Sequence, residues 1–175
     1  MLILSKAIMQ QGVLSLRTGG VIATAESPIF NPDNLKVEGF ECIDSFSKQQ
    51  LILLSQDIRD HIKQGFVVDD HDVLVEENEL IRLKDVIALN FQLLNKTVAT
   101  KDKKLGKVLD YSVDSETLYV KKLYVGQSLL KNISHGQLSI DRNQIIEITD
   151  KKIIVKDPLQ LTPVKTQRAP RPALG

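Results

Sequence analysis

Few residues of this 175-residue chain are of types and spacings that do chemistry. Asp69-Asp70-His71-Asp72 gathers carboxylates around an imidazole, the groups that ligate divalent metals. The run lies between the apolar stretches Phe66-Val67-Val68 and Val73-Leu74-Val75, so it reads as a hairpin turn. Consecutive turn residues splay apart, and the expectation is a solvated turn without metal. His61 falls on a predicted helix over 57–65, where Ile58 and Ile62 stand four apart, Ser55 is the expected N-cap and Gly65 the stop. His135 falls in the loop Ser134-His135-Gly136; both histidines are expected at the surface. Cys42 is the single cysteine, which excludes an internal disulfide framework, and its parity beside Phe40 predicts a buried, inert thiol. No Ser-His-Asp order, nucleophile elbow, phosphate loop or GxGxxG is present. The chain therefore reads as no enzyme, with no cofactor.

Lysine is the more suggestive residue. Lys103, Lys104, Lys107, Lys121, Lys122, Lys151 and Lys152 crowd the second half, with Tyr111, Tyr119 and Tyr124 interleaved. Basic side chains with an exposed aromatic are the composition of a surface that meets RNA or an anionic protein. Tyr119 is opposite in parity to Val120 and is the ring expected at the surface, so the candidate surface is those seven lysines and Tyr119. A second candidate is the tail 158–175, where Lys165, Arg168 and Arg171 stand among four prolines without an acid. That composition predicts an extended segment able to dock on a partner.

The formal net charge of +1 conceals a division. Residues 1–90 hold 8 Lys+Arg against 14 Asp+Glu, and residues 91–157 hold 12 against 8. An anionic partner is expected at the second half and the tail, and is repelled by the first. No apolar run approaches the roughly 20 residues of a membrane span. Met1-Leu2-Ile3-Leu4 meets Ser5-Lys6 too early for a signal peptide, so a cytoplasmic protein is expected.

The elements that must position these residues read as short strands separated by turns. Asn31-Pro32-Asp33-Asn34, Lys101-Asp102-Lys103-Lys104, Asp114-Ser115-Glu116 and Asp150-Lys151-Lys152 are turn signals between β-branched and leucine-rich runs. Apolar residues at helical spacing over 79–89 predict an amphipathic connector, with Leu80, Leu83, Ile87 and Phe91 placed to pack between two modules. The halves repeat. At an offset of 83, Ile22, Ala25, Phe30, Leu35, Val37 and Phe40 meet Leu105, Val108, Val113, Leu118, Val120 and Leu123. Alternation slips by one residue at Glu38-Gly39 and again at Lys121-Lys122, which predicts a β-bulge at the same place in each copy. Further on, Leu53 and Ile58 match Ile140 and Ile145 at an offset of 87. Val73-Leu74-Val75 matches Ile153-Ile154-Val155 at 80, which predicts a seven-residue insertion after Ile58 and sets Asp69–Asp72 opposite the turn 149–152.

This tandem pattern resembles the PRC-barrel superfamily, named for the H subunit of photosynthetic reaction centres. Leu94-Asn95-Lys96-Thr97-Val98, Leu105-Gly106-Lys107-Val108-Leu109-Asp110 and the run 138–155 carry the likeness, which spans 5–157 as two copies. The first copy has Ile22-Ala23-Thr24-Ala25 in place of the Leu-Gly-Lys-Val step. The resemblance implies an all-β chain of two tandem small barrels, over 1–78 and 91–157, joined by a connector over 79–90 and followed by the tail 158–175. It also implies a docking role. Members include the C-terminal domain of the ribosome maturation factor RimM, which binds a small-subunit ribosomal protein, and adaptors of sporulation and archaeal cell division. The expected function is thus a protein-binding adaptor in ribosome assembly or RNA metabolism, bringing it to RNA or a ribosomal particle. The competing expectation is a self-associating or envelope-linked scaffold.

Overall fold

A computed structural model describes residues 1–127 and 136–158. The chain folds mostly as strand: β1 (Leu2–Leu4), β2 (Gln11–Ser15), β3 (Val21–Asn31), β4 (Lys36–Asp44), β5 (Gln50–Leu54), β6 (Ile58–Ile62), β7 (Gly65–Val68) and β8 (Leu74–Val75) in the first half. One short helix, α1 (Lys84–Ala88), precedes β9 (Thr97–Ala99), β10 (Lys104–Asp114), β11 (Val120–Gln127), β12 (Gln137–Asp141), β13 (Ile145–Ile148) and β14 (Lys152–Val155). The all-β expectation therefore holds. The strands form two sheets, ordered β6-β7-β2-β3-β4-β5-β8 and β12-β11-β10-β9-β14-β13, one of them curled into a half-barrel. Among the described residues, neither sheet pairs its two edge strands into a closed barrel.

The offset of 83 reappears in the backbone. β3 and β10 run between equivalent residues, and both skip a residue against their partner at Glu26 and Leu109, and their partners at Glu38 and Lys121. The bulges read from the slipped alternation at Glu38 and Lys121 are thus present, with a second matched pair beside them. The preceding turns match as well. Asn31 Oδ1 accepts the Asp33 amide at 3.0 Å, and Asp114 Oδ1 accepts the Glu116 amide at 3.2 Å. Leu35 and Leu118 close these turns at φ +53° and +56°, in the left-handed region that leucine rarely enters.

Those two strained residues join the sheets. Val37 N–H donates to the Leu118 carbonyl at 2.9 Å, and Val120 N–H donates to the Leu35 carbonyl at 3.0 Å, a reciprocal pair related by the repeat. Around it the core is continuous: Phe30 of β3 meets Tyr111 of β10 edge-on at 5.3 Å and Phe91 at 6.5 Å. Each fully buried aliphatic or aromatic side chain in it contributes about 1.5–3 kcal/mol. The first strand also crosses over, since β1 pairs with β10 in the second sheet through Leu2↔Asp114 and Leu4↔Ser112.

Four expectations fail. The stretch 57–65 is strand β6 and its turn, not a helix: Ile58, Asp60, His61 and Ile62 pair with β7 residues Val68, Val67, Phe66 and Gly65. Spacing of four suits one helix face, but a bulge at Arg59 sets Ile58 toward the core and Ile62 toward solvent on opposite faces of β6, and the pairing with β7 decides for strand. The hairpin between Phe66–Val68 and Val73–Val75 does not form either. β7 lies between β6 and β2, and β8 crosses to the far edge to pair with β5. The inserted segment consequently disappears, because β5, β6 and β7 correspond to β12, β13 and β14 at a steady 87, and Phe66-Val67-Val68 is the counterpart of Ile153-Ile154-Val155. The turn matching 149–152 is 62–65. Of the predicted connector helix over 79–89, only Lys84–Ala88 is helical, preceded by a 3₁₀ turn at Glu77–Glu79. Phe91 is buried as expected, while Leu80, Leu83 and Ile87 are half-buried.

Candidate docking surfaces

At one end of the first sheet, apolar side chains stand in solvent on rigid turns. Val13 and Ser15 of β2 point inward, leaving Leu14 and Leu16 on the other face. The hairpin from Ser15 to Gly20 then places Val21 at the start of β3. Ser45 N–H donates to the Ile22 carbonyl at 2.9 Å, so the β4–β5 turn, with Phe46, lies at this same end. Leu16 is 63%, Val21 52% and Phe46 74% exposed. Their exposure on fixed backbone is what separates them from a loose apolar residue.

A polar network fixes these turns. The Asp44 carboxylate is almost completely buried and accepts from Ser47 Oγ at 2.6 Å, from the Phe46 amide at 3.1 Å and from the Ser47 amide at 3.3 Å. His71 Nε2 lies 3.2 Å from its Oδ1, and the His71 ring meets Phe46 at 5.9 Å. These contacts, the Ser47 hydroxyl foremost, hold the Asp44 carboxyl far below the usual carboxylate range. Asp70 accepts from Ser15 Oγ at 3.0 Å and from Arg17 Nη1 at 2.8 Å, tying the β2–β3 hairpin to the segment after β7.

The run 69–72 is therefore structural. Asp69 takes Arg59 in a two-bond fork at 3.0 and 2.6 Å, Asp70 takes Arg17, and His71 faces Asp44, so the side chains diverge to separate partners. Among the described residues, no three potential ligands converge on one point. His61 lies against the Phe66 ring at 4.9 Å, and His135 is outside the described residues. Cys42 is fully buried, and burial pushes its thiol up to about 12.

The lysine surface predicted as one patch divides in two. Lys104, Lys107 and Lys152 are exposed at the β9 end, where Lys107 and Lys152 both stand opposite Thr97 from either side of β9. Lys151 is in the adjoining hairpin, and Lys103 lies 3.9 Å from Asp157. Lys121, Lys122 and Tyr119 belong to the opposite end of β11, about 13 Å further along the β10–β11 ladder. There Lys122 pairs with Asp141 at 3.2 Å, and the Arg142 guanidinium covers the Tyr119 ring at 4.8 Å. Lys165, Arg168 and Arg171 lie outside the described residues.

No family model matches this chain. A search of curated proteins finds no match either. Among the described residues, no helix is long and apolar enough to cross a membrane. The residues that the sequence reading passed over are Leu16, Val21 and Phe46. Phe46 carried a signal: it is a lone aromatic inside the polar run Asp44-Ser45-Phe46-Ser47-Lys48, where burial offers no reason for it.

Proposed function

We propose that this chain is a non-enzymatic adaptor of PRC-barrel type that binds a protein partner. The observation that carries the reading is Phe46, an aromatic ring held in solvent with Leu16 and Val21 by a turn built on a buried carboxylate. A ring on a turn whose backbone is already held by hydrogen bonds costs little backbone ordering on binding, and aromatic rings dominate protein–protein hot spots. The resemblance to the C-terminal domain of RimM sets the adaptor in ribosome assembly, with a ribosomal particle as its destination.

The test uses the full chain with an affinity tag, incubated with a lysate of its source cells and sedimented with ribosomal particles. Wild type and Phe46→Tyr are expected to recover the same protein and the same particles, while Phe46→Asp loses both by tenfold or more at an unchanged melting temperature. Undiminished recovery by Phe46→Asp overturns the reading. A sedimentation coefficient that rises with protein concentration, without particles, supports the scaffold instead.

A further inference from the structure

We propose that the outer face of the second sheet around β9 binds a single-stranded polynucleotide, phosphates on Lys104, Lys107 and Lys152 and a base on the ledge formed by Leu109 and Tyr124. The placement of these residues is fixed by the strands. Val98, Gly106 and Ile153 are in register and buried, so their neighbours Thr97, Lys107 and Lys152 share the opposite face. Lys107 and Lys152 flank the Thr97 hydroxyl across two strand spacings, about 10 Å. β10 spends three residues between Lys104 and Lys107 where β9 spends two, and this bulge returns Lys104 to the same face. The bulge needs glycine: a Cβ at Gly106 would overlap the Gly126 carbonyl oxygen.

The ledge adjoins this row. Leu109 is the extra residue of the second bulge in β10 and is 58% exposed. It lies over Gly126, where a Cβ would come within 2.7 Å of its Cδ1. Tyr124, two residues before Gly126, is turned outward by its buried neighbours Leu123 and Val125. Ammonium groups in a row bind any polyanion, but an aromatic and an apolar side chain beside them match the stacking face of an unpaired base. That pairing favours a single strand over an acidic polypeptide or a duplex. Asp102, Asp110, Glu147, Asp150 and Asp157 are the acids of this region, and Asp157 lies 3.9 Å from Lys103, outside the row of three lysines. The Asp110 carboxylate accepts from Ser5 Oγ at 2.6 Å and from the Tyr111 amide at 2.7 Å, which occupies it within the fold. The charge division of the chain agrees, since the first half carries the excess of acid. The site is separate from the Phe46 end, so an adaptor would hold protein at one sheet and nucleic acid at the other.

The experiment is fluorescence anisotropy of the full chain with a labelled 12-nucleotide adenylate RNA and its DNA equivalent, at 50, 100 and 200 mM salt. Three phosphate contacts on a single strand predict a log–log salt slope of about −2, a loss of about 18-fold in affinity across that range. Lys104→Gln/Lys107→Gln/Lys152→Gln is expected to abolish the binding. Tyr124→Ser weakens it about tenfold with the slope unchanged, and Phe46→Asp leaves it intact. Binding by wild type with these changes supports the site. The proposal is overturned if wild type does not bind at 50 mM salt, if the triple variant binds with the same slope, or if polyglutamate or duplex RNA competes as well as the single strand. Thermal melting of each variant separates loss of the site from loss of the fold.

Discussion

At the scale of single residues, Asp44 organises more backbone than its size suggests. Its carboxylate satisfies two amides and a hydroxyl of the turn that carries Phe46, and it faces His71 from the segment leading into β8. A carboxyl held far below its ordinary range stabilises the fold only while it is ionised. In the unfolded chain it takes up its proton near pH 4. The stabilisation is accordingly complete above about pH 5 and is lost as pH falls through the lower folded value. Urea midpoints measured from pH 7 down to pH 3 should decline for the wild type. Asp44→Asn should start lower at pH 7 and decline less. Parallel curves for the two proteins would mean that Asp44 is not the group responsible. The same residue explains how Phe46 escapes the core: the turn is satisfied by polar bonds within itself, so no apolar burial is required to hold it.

At the scale of elements, the repeat and its bulges were legible because each leaves a mark in the alternation of apolar residues. Glu38 and Lys121 displace the inward parity by one, and the register shows the same displacement. Strand order left no such mark. The stretch 57–65 suggests a helix because Ile58 and Ile62 stand four apart, and the bulge at Arg59 that sets them on opposite faces of β6 is not declared by the residues. β8 suggests a hairpin with β7 because adjacency in sequence usually predicts pairing. For the site, the lysines were visible as residue types, but their division into two groups depends on which end of β10 each one faces. Lys104 and Lys107 share a face only because the Gly106 bulge absorbs the residue between them, a close-approach constraint that a lone Gly in a sequence does not declare. Gly106→Ala should therefore force β10 and β11 apart, with a loss of about 2 kcal/mol or more, in the range of other overpacking substitutions. Gly20→Ala is the control, since a Cβ there meets only the Thr18 hydroxyl at 3.7 Å and should change the urea midpoint little. Equal midpoints for the two variants would contradict the close approach.

At the scale of the whole molecule, the two sheets repeat one another in sequence but share one core. β1 leaves the first half to pair with β10, the Leu35 and Leu118 turns exchange backbone hydrogen bonds, and Phe30 packs on Tyr111. Half of such a core is a marginal domain, because about 75 residues bury too little surface to stand alone comfortably. Unfolding should then be a single transition, and the chain supplies its own reporters. It has no Trp, and its tyrosines, Tyr111, Tyr119 and Tyr124, all lie in the second half. Tyrosine emission follows the second half and its seam with the first, where Tyr111 meets Phe30, while far-UV circular dichroism follows both halves. The two urea curves should superimpose. Phe30→Ala, a change in the first sheet, removes a buried ring and should shift both curves together by about 3 kcal/mol. If the halves were independent, dichroism would show two phases, and tyrosine emission would keep its wild-type midpoint in Phe30→Ala. Superimposed curves that move together would show that the two sheets unfold as one unit through the seam that holds Phe30 and Tyr111.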